Sequence, residues 1–393
     1  MEMSVTTLGN HRRAISATAV LLGGVLTLSA CGSSGAEGDS GGGSKQARAG
    51  GKSSEARIKI ASKNGAEGAS INTGGNVTVS KGKLTDVTMV TAQGGAPVEG
   101  TVSGDGKTWK PADQLERATQ YKITAKAKDG DGRKAVENST FTTVSPDNSF
   151  IGSYTGEDGQ TVGVGMPVSI NFDKAIGDKK AVQSAIKVKS SSGQQVVGHW
   201  FDGTRLDFRP QEYWKPGSKV TLDLNLDGVK GGPNMTGVQD KKVTFNIGRS
   251  QVSTVDVKTK QMTVVRDGAK VKTIPISAGG EKNPTYNGQM VISEKFKETR
   301  MNGATVGFTD DDGKGEYDIK DVPHAIRLTT SGTFLHGNYW AEEEVFGEEN
   351  VSHGCIGLRD AKGGSATTPG GWFFDRTLIG DVVEVVNSKD RKV

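Results

Sequence analysis

One cysteine and two histidines near the C-terminal end of the chain have a spacing that suits nucleophilic chemistry. Cys355 lies in VSHGCIGLRD, residues 351–360, with His353 two positions before it, and fifteen residues separate His336 from the SHGC tetrapeptide. A cysteine attacks as a thiolate, so it needs a base or a cation nearby, and an imidazole can supply either. Two nearby glycines permit a tight turn whose backbone N–H groups could face an oxyanion. The pattern predicts a cysteine nucleophile activated by histidine.

The N-terminal segment has the composition of an export signal. His11, Arg12 and Arg13 precede the apolar run AISATAVLLGGVLTLSA, residues 14–30. A short transmembrane anchor is the alternative, but the paired glycines and the small residues before Cys31 favour cleavage. The LSAC tetrapeptide that ends at Cys31 resembles the lipobox of bacterial lipoproteins.

This resemblance implies that residues 1–30 are a signal peptide and that Cys31 becomes the lipid-bearing first residue of the mature chain. Residues 31–55 are rich in Gly and Ser, have little to bury, and are predicted to form a flexible tether. The folded part would then be anchored at the outer face of the cytoplasmic membrane, facing the cell wall. Cys355 would have no disulfide partner in an oxidising compartment, so its thiol requires another explanation.

Composition favours strands over helices and gives no sign of a nucleic-acid partner. The 393 residues are enough for two or three domains, and the 56 glycines and 11 prolines favour strands joined by turns. Lys and Arg total 49 against 45 Asp and Glu, with both signs interleaved. No continuous basic surface for nucleic acid is therefore expected.

The chain up to residue 248 shows the apolar–polar alternation of half-buried antiparallel strands, as in KVTLDLNLDG. It also contains an internal repeat. The segments that begin at Asp105 and at Asp202 each have a DG turn, a strand, a proline and a second alternating strand. Their separation of about 100 residues is the size of a small β-sandwich. We predict two tandem immunoglobulin-like domains, residues 56–148 and 149–248, that act as spacers.

Aromatic residues in these two domains allow a second interpretation. Trp109, Trp200, Trp214 and His199 could form a carbohydrate-stacking surface. Tryptophans beside strands usually pack into the core or against a neighbouring domain, and we favour that interpretation.

Residues 249–388 are predicted to form a third, β-rich domain that carries Cys355 and His336. Asp267 and Gly268 lie between two alternating runs and predict a hairpin turn. Further strands are expected in QMVISEKF, HAIRLTTSGTFLHG and DVVEVVNS, and GGWFFDRTLIGD predicts one short helix.

The pattern H-x(15)-S-H-G-C, preceded by SGTFLHG, resembles the YkuD-type L,D-transpeptidases that cross-link bacterial peptidoglycan. The likeness covers roughly residues 250–388. The lipobox, the tether and the two immunoglobulin-like domains extend it to the actinobacterial lipoprotein members of the family. It implies a mainly β chain with two tandem immunoglobulin-like β-sandwiches followed by a β-rich catalytic domain that needs no cofactor and no metal.

The resemblance also implies roles for individual residues. Cys355 would be the nucleophile and His336 the general base, and the carbonyl of Gly337, where the family often has serine, would orient the imidazole. The hydroxyl of Tyr317 would border the oxyanion hole. The other positions assigned to the site are His353 and Gly354, which shape it, and the substrate-binding positions Met301, Ser331, Gly332, Trp340 and Ser352, with Tyr317 again among them.

Two departures from the family pattern concern the substrate more than the reacting pair. The family usually carries asparagine or arginine two residues after the cysteine, where this chain has Gly357. Relatives read T-P-x-G on an early strand, where residues 285–288 read TYNG.

The implied reaction is acyl transfer in two steps. Cys355 attacks the carbonyl between the diaminopimelate and the terminal D-alanine of a tetrapeptide stem, and His336 returns a proton to the departing D-alanine. A diaminopimelate amine of a neighbouring stem then resolves the thioester as a 3→3 cross-link, and carbapenems would be covalent inhibitors. With water as acceptor the enzyme would be an L,D-carboxypeptidase. A non-catalytic wall-binding lipoprotein is a further alternative.

A zinc site is another alternative, because His336, His353 and Cys355 would leave a fourth tetrahedral position open. His353 and Cys355 can turn to one side of an extended segment, so their spacing does not exclude it. Stoichiometric zinc would indicate a hydrolase, and metal-free protein labelled at Cys355 by a carbapenem would indicate the transpeptidase.

Two acidic segments and one further histidine complete the candidate residues. The segment AEEEVFGEEN, residues 341–350, could be a solvated loop or a lid whose carboxylates favour an amine-bearing acceptor. In residues 309–318, TDDDGKGEYD, the acidic residues are adjacent instead of alternating, which predicts a loop and not a calcium site. His324 is expected to be a strand-edge residue.

Overall fold

The computed structural model describes residues 53–389. The predicted signal segment, Cys31 and most of the predicted tether fall outside this range. Inside it the chain is mainly β, as the sequence predicts, with two short α-helices and two 3-10 helices. No helix within residues 53–389 is long and apolar enough to span a membrane.

The first β-sandwich consists of two four-stranded sheets. Its strands are β1 Arg57–Ile60, β2 Ala66–Ala69, β3 Val77–Ser80, β4 Lys83–Thr91, β5 Gly100–Val102, β6 Thr108–Pro111, β7 Gln120–Lys128 and β8 Lys134–Thr143. The strand orders are β1-β3-β6-β5 and β2-β8-β7-β4. Alternation along β7 turns Tyr121, Ile123 and Ala125 into the core, where Phe141 of β8 pairs with Tyr121.

The second β-sandwich repeats this arrangement. Its elements are β9 Ser149–Phe150, β10 Gly152–Tyr154, β11 Thr161–Val162, β12 Val168–Phe172, α1 Lys179–Ser184, β13 Ile186–Ser190, β14 Val196–Trp200, β15 Arg205–Pro210, β16 Lys219–Asn225, β17 Lys230–Gly232, β18 Met235–Gly237 and β19 Asp240–Ile247. The main sheets are β10-β12-β15-β14 and β11-β19-β16-β13. In chain order these strands match those of the first sandwich one by one. The two strands of the predicted repeat, β6 with β15 and β7 with β16, therefore take equivalent places.

The tryptophans of the two sandwiches mostly belong to the core. Trp109 is 3% exposed and Trp214 is 1% exposed, and the indole N–H of Trp214 donates to the carbonyl of Met166 at 2.6 Å. Trp200 is half-buried and stacks on Phe172, with ring centroids 5.5 Å apart. The core interpretation is therefore confirmed for Trp109 and Trp214.

A nine-stranded mixed sheet forms the third domain. Its elements are β20 Gln251–Asp256, β21 Gln261–Arg266, β22 Ala269–Ser277, β23 Gly288–Val291, β24 Glu294–Asn302, the 3-10 helix Gly303–Val306, β25 Asp318–Arg327, β26 Phe334–Asn338, the 3-10 helix Glu343–Val345, β27 Ile356–Arg359, α2 Pro369–Arg376 and β28 Val382–Val386. The strand order is β23-β28-β20-β21-β22-β27-β26-β25-β24. Only the pairs β20–β28 and β26–β27 are parallel within this described sheet.

Two local predictions for this domain are confirmed. The hairpin between β21 and β22 turns at Asp267 and Gly268, whose φ angles of 49° and 82° lie in the left-handed region that such a turn needs. The short helix α2 begins at Pro369, after the N-cap Thr368, whose side chain accepts a hydrogen bond from the backbone N–H of Gly371.

Close backbone contacts join the second sandwich to the nine-stranded sheet. The N–H of Gly163 donates to the carbonyl of Ile379 at 2.7 Å, and a Cβ atom on Gly163 would lie 2.2 Å from the backbone nitrogen of Asp381. The carboxylate of Asp381 is 1% exposed and accepts two hydrogen bonds of 2.8 Å from Arg249. This buried ion pair lies at the end of the sheet away from β26 and β27 in strand order.

Candidate active site

The parallel pairing of β26 with β27 brings the predicted base and nucleophile together. His336 is directly opposite Gly357 in the register. Cys355 immediately precedes β27, two residues before Gly357, so the same pairing brings it next to the strand that carries His336. The thiol of Cys355 also donates to the carbonyl of Gly332 at 3.7 Å, in the turn just before β26.

His336 is held as a neutral imidazole with one nitrogen free. The side chain is 5% exposed, and its Nδ1 lies 3.0 Å from the carbonyl oxygen of Gly337. A carbonyl can only accept, so Nδ1 carries the proton and Nε2 keeps its lone pair. Burial lowers the pKa of His336, although the hydrogen bond to Gly337 opposes this effect. The indole of Trp340 stacks on the imidazole with centroids 5.5 Å apart and an interplanar angle of 12°.

The thiol of Cys355 is protonated at rest. Burial raises its pKa to about 11, and a backbone hydrogen bond from Phe334 only partly opposes this shift. The imidazole of His336 is also uncharged at rest, so neither a thiolate nor an imidazolium is preformed. The arrangement therefore suits a nucleophile that loses its proton to histidine as it attacks.

Ser352 closes the turn that presents the thiol. Its hydroxyl donates to the carbonyl of Cys355 at 2.5 Å and accepts from the N–H of Gly354 at 3.1 Å. The N–H of Ser352 donates to the carbonyl of Ala278, so the turn is tied to the end of β22. Gly354 has a φ of 122°, which residues with a side chain rarely adopt. These contacts explain the serine and the glycine of the SHGC motif as parts of one rigid turn.

Tyr317 packs beside His353 of the SHGC motif. Burial raises the pKa of Tyr317 to about 12, and the negative charges of Glu316 and, once it ionises at high pH, of Cys355 add to this shift. The phenol is therefore a hydrogen-bond donor at neutral pH. Its ring is 5.0 Å from that of His353, and Nε2 of His353 is 2.9 Å from a carboxylate oxygen of Glu316. Glu316 was not anticipated as a contact of the motif histidine.

The remaining predicted positions lie around this pair to different extents. Gly332 contacts the thiol, and Trp340 covers His336 with 41% of its surface exposed. The Ser331 hydroxyl contacts that of Thr329 at 3.0 Å in the exposed turn before β26. Met301 is half-buried on β24, where it pairs with a residue of β25. The structure thus brings Gly332 and Trp340 to the reacting pair and shows Ser331 and Met301 in contact with their own turn and strand.

The two departures from the family pattern have local explanations. A Cβ atom on Gly357 would lie 3.3 Å from the side-chain nitrogen of the buried Asn338, so the Asn338 amide occupies the space beside this position. In the TYNG segment, Thr285 Oγ1 accepts from the N–H of Gly279 at 2.8 Å, which keeps the segment attached to the turn that pairs with Ser352.

The expectation that His324 is a strand-edge residue is wrong. His324 lies inside β25, with a φ of 49°, and its Nδ1 is 2.6 Å from a carboxylate oxygen of Asp360, whose side chain is fully buried. These two residues are 36 positions apart, and no local pattern connects them. Sequence reasoning therefore missed Asp360 as well.

The acidic segments form loops near the site. Residues 309–318 turn back on themselves, with the Asp310 carboxylate accepting from the N–H groups of Asp312 and Lys314. The segment 341–350 contains one short 3-10 helix, and Glu343 lies 3.3 Å from Arg359. Within residues 53–389 no group of three or more His, Cys, Asp or Glu side chains is placed to hold a metal ion.

Two protein-family models match parts of this chain. The family model of the L,D-transpeptidase catalytic domain matches residues 250–385, and that of a bacterial Ig domain matches residues 66–230. The second match runs across both sandwiches.

Two curated relatives come from Mycobacterium tuberculosis. L,D-transpeptidase 2 is 34% identical over 324 residues, which is 82% of this chain and 76% of the relative. L,D-transpeptidase 5 is 31% identical over an alignment that covers 76% of this chain and 64% of the relative.

Two solved structures match a smaller part of this chain. A structure of an L,D-transpeptidase in complex with imipenem is 28% identical and covers 60% of this chain and 97% of its own, with a TM-score of 0.49. That of L,D-transpeptidase 3 from Mycobacterium tuberculosis in complex with a faropenem-derived adduct is 26% identical and covers 61% of this chain and 99% of its own, also with a TM-score of 0.49. On the strength of the family model and of the curated relatives, this chain belongs to the L,D-transpeptidase family.

Proposed function

We propose that this chain is a peptidoglycan L,D-transpeptidase that forms 3→3 cross-links through a thioester on Cys355. The proposal is supported by the pairing of β26 with β27, which sets His336 opposite Gly357, two residues after Cys355, and by the hydrogen bond from Nδ1 of His336 to Gly337. This arrangement leaves Nε2 free to take the thiol proton.

In the first step the acyl donor is a tetrapeptide stem. The sulfur of Cys355 attacks the carbonyl between diaminopimelate and the terminal D-alanine while its proton moves to Nε2 of His336. The oxyanion that forms accepts hydrogen bonds from backbone N–H groups of the SHGC turn and from the hydroxyl of Tyr317. When the tetrahedral intermediate collapses, His336 returns the proton to the D-alanine nitrogen, free D-alanine leaves, and the thioester remains.

In the second step an amine resolves the thioester. The side-chain amine of a diaminopimelate from a neighbouring stem attacks the thioester carbonyl and gives a proton to His336. The C–S bond breaks, the thiol is regenerated with that proton, and the new amide is the 3→3 cross-link. Water in place of the amine would release a tripeptide, which is the carboxypeptidase outcome.

The acidic loops favour a cationic acceptor. The loop 309–318 contains Tyr317, and the loop 341–350 directly follows Trp340, so each is adjacent to a site residue in the chain. Together they contain the ten carboxylates Asp310, Asp311, Asp312, Glu316, Asp318, Glu342, Glu343, Glu344, Glu348 and Glu349 against one lysine, Lys314. Such a field raises the local concentration of an ammonium-bearing stem. Replacing Glu342, Glu343 and Glu344 together by glutamine should raise the KM for the acceptor, and unchanged acceptor kinetics would contradict this role.

Carbapenems are proposed as covalent inhibitors, because their strained lactam carbonyl offers the same thiol an acyl group without a departing amine. The placement of the enzyme is also a proposal: a lipid on Cys31 would anchor it at the outer face of the cytoplasmic membrane. The two sandwiches would then raise the catalytic domain towards the wall. A Cys31→Ala variant that stays in the membrane fraction would contradict this anchoring.

Mass spectrometry of the reaction products tests the function directly. The full chain is incubated with a disaccharide tetrapeptide, and the expected products are free D-alanine and a cross-linked dimer. Tripeptide monomer without dimer would mean hydrolysis. The Cys355→Ala variant should form no acyl-enzyme, and turnover by that variant would remove Cys355 from its role.

A further inference from the structure

A buried carboxylate lies directly behind the residue that orients the general base. Asp360 follows β27, and its side chain is fully buried. Its Oδ1 accepts hydrogen bonds from the N–H groups of Ala361 at 2.8 Å and Ser365 at 3.1 Å and from the hydroxyl of Thr368 at 2.7 Å. Its Oδ2 is 2.6 Å from Nδ1 of His324. Four contacts from three parts of the domain therefore fix the position of this carboxylate.

Asp360 occupies the space that a side chain at position 337 would need. A Cβ atom on Gly337 would lie 2.3 Å from Oδ2 and 2.8 Å from Cβ of Asp360. A Cβ atom on Gly370, in the first turn of α2, would lie 2.4 Å from the same Oδ2 and 3.3 Å from Cα of Gly337. Gly337, Asp360 and Gly370 therefore form one close contact between β26 and α2.

His324 is fitted to the same contact. Its ring lies 5.0 Å from that of Phe374 on α2, and a Cβ atom on Gly364 would lie 2.8 Å from its Cε1. The backbone of His324 is in the left-handed region, which is rare for a residue with a side chain and costs free energy unless its surroundings hold it there. The residue thus keeps a strained conformation in which its imidazole reaches Asp360.

We propose that Asp360, held by His324, is a positioning residue for the general base and acts through Gly337. The proposal rests on the assignment of His336 as the base under the proposed function. Gly337 pairs with Leu358 inside β26, but as a glycine it has no side chain to restrict its backbone, so packing by Asp360 adds to the strand pairing in fixing the direction of its carbonyl. Asp360 packs against its Cα, and the carbonyl accepts the Nδ1–H of His336. A rotated carbonyl would turn Nε2 away from the sulfur of Cys355.

The first test measures acylation of the full chain by imipenem. Intact-protein mass spectrometry over time at several imipenem concentrations separates non-covalent affinity from the acylation rate constant. Asp360→Ala should lower the rate constant by roughly 10- to 100-fold, the scale of a misplaced catalytic group, and leave the affinity unchanged. Asp360→Asn keeps the shape and can bond the same partners, so it should restore most of the rate.

Asp381→Asn and Asp381→Ala are the matched controls. Asp381 is an equally buried, hydrogen-bonded carboxylate of the same domain, bonded to Arg249. Its variants should lose thermal stability and keep the acylation rate constant, provided that rates are compared at a temperature where every variant is folded. Equal rate losses in the Asp360 and Asp381 variants, or a wild-type rate for Asp360→Ala, would overturn the proposal.

A size exchange provides a second test if Asp360→Ala does not fold. Gly337→Ser places a side chain against the carboxylate and should slow acylation, whereas Gly337→Ser combined with Asp360→Gly vacates that space and should acylate faster than Gly337→Ser alone. If the loss of acylation rate in the double variant equals the product of the losses caused by the two single substitutions, positions 337 and 360 do not share a contact. Wild-type protein that imipenem does not acylate would overturn the proposed function, whereas acylated wild type with an unaffected Asp360 series would overturn this inference alone.

Discussion

The proposed role of Tyr317 as a hydrogen-bond donor to the oxyanion leads to a prediction of defined magnitude. Tyr317→Phe removes one hydroxyl and keeps the ring that contacts His353 and Phe308. Removing a single oxyanion donor typically costs about 2.7–4 kcal/mol, which corresponds to a rate loss of roughly 100- to 1,000-fold. Removing a hydroxyl that only packs beside the site would cost much less, on the order of 1 kcal/mol, which corresponds to a rate loss of about fivefold.

The pKa of Tyr317 adds a second requirement. A pKa of about 12 means that roughly one molecule in a thousand is ionised at pH 9. The hydroxyl therefore stays a donor throughout the range from about pH 6 to pH 9. The ratio of the wild-type to the Tyr317→Phe rate constant should be constant over this range, because the group that is removed does not titrate within it.

The assay is the acylation rate constant with imipenem, measured by intact-protein mass spectrometry at several pH values. Tyr339→Phe is the control, since its hydroxyl donates to Asp321 at 2.6 Å in the same domain and it has no assigned catalytic role. The control should acylate like the wild type. A Tyr317→Phe loss below about fivefold, or a ratio that falls steadily between pH 6 and pH 9, would refute the donor role.

Other predictions concern the turn and the buried base. Ser352→Ala removes two hydrogen bonds of the SHGC turn and should lower the free energy of unfolding by about 1–3 kcal/mol, measured by urea denaturation; an unchanged midpoint would contradict this. Gly354→Ala should slow imipenem acylation, because a residue with a side chain rarely adopts the positive φ of this position. The added methyl group itself would meet no steric clash. Burial lowers the pKa of His336, so the unfolded state binds a proton first as the pH falls. The contribution of His336 to the free energy of unfolding should be complete above about pH 6.5 and decrease as the pH falls below that value. His336→Gln should make the free energy of unfolding depend less on pH in this range.

Much of the site was predictable because it is local. The SHGC tetrapeptide is one turn whose serine and glycine bond to each other, so its residues stand together in the sequence. Gly337 directly follows His336 in the sequence, so the 3.0 Å contact between Nδ1 of His336 and the carbonyl of Gly337 joins neighbouring residues. The histidine-to-SHGC spacing was recognisable because only the end of β26 and the loop before β27 separate His336 from Cys355.

The buried pair of His324 and Asp360 shows what the sequence could not provide. His324 lies on β25 and Asp360 follows β27, with β26 between these strands in the sheet. Their contact depends on the order of the strands and on where α2 packs, and neither is encoded in a short pattern. The contact of Glu316 with His353 has the same origin, since a loop of one hairpin meets the turn of another segment.

By itself the sequence determined the local features of this protein: alternating strands, the turn at Asp267 and Gly268, the short helix α2, the repeated sandwich and the residue types of the SHGC motif. Periodicity and turn chemistry act over a few neighbouring residues, so they can be read without a structure. Only the tertiary structure decided the parallel register that sets His336 opposite Gly357 and the carboxylate behind Gly337. Register between strands distant in sequence is selected by the packing of the whole sheet, because a slip of one residue would turn every side chain to the other face.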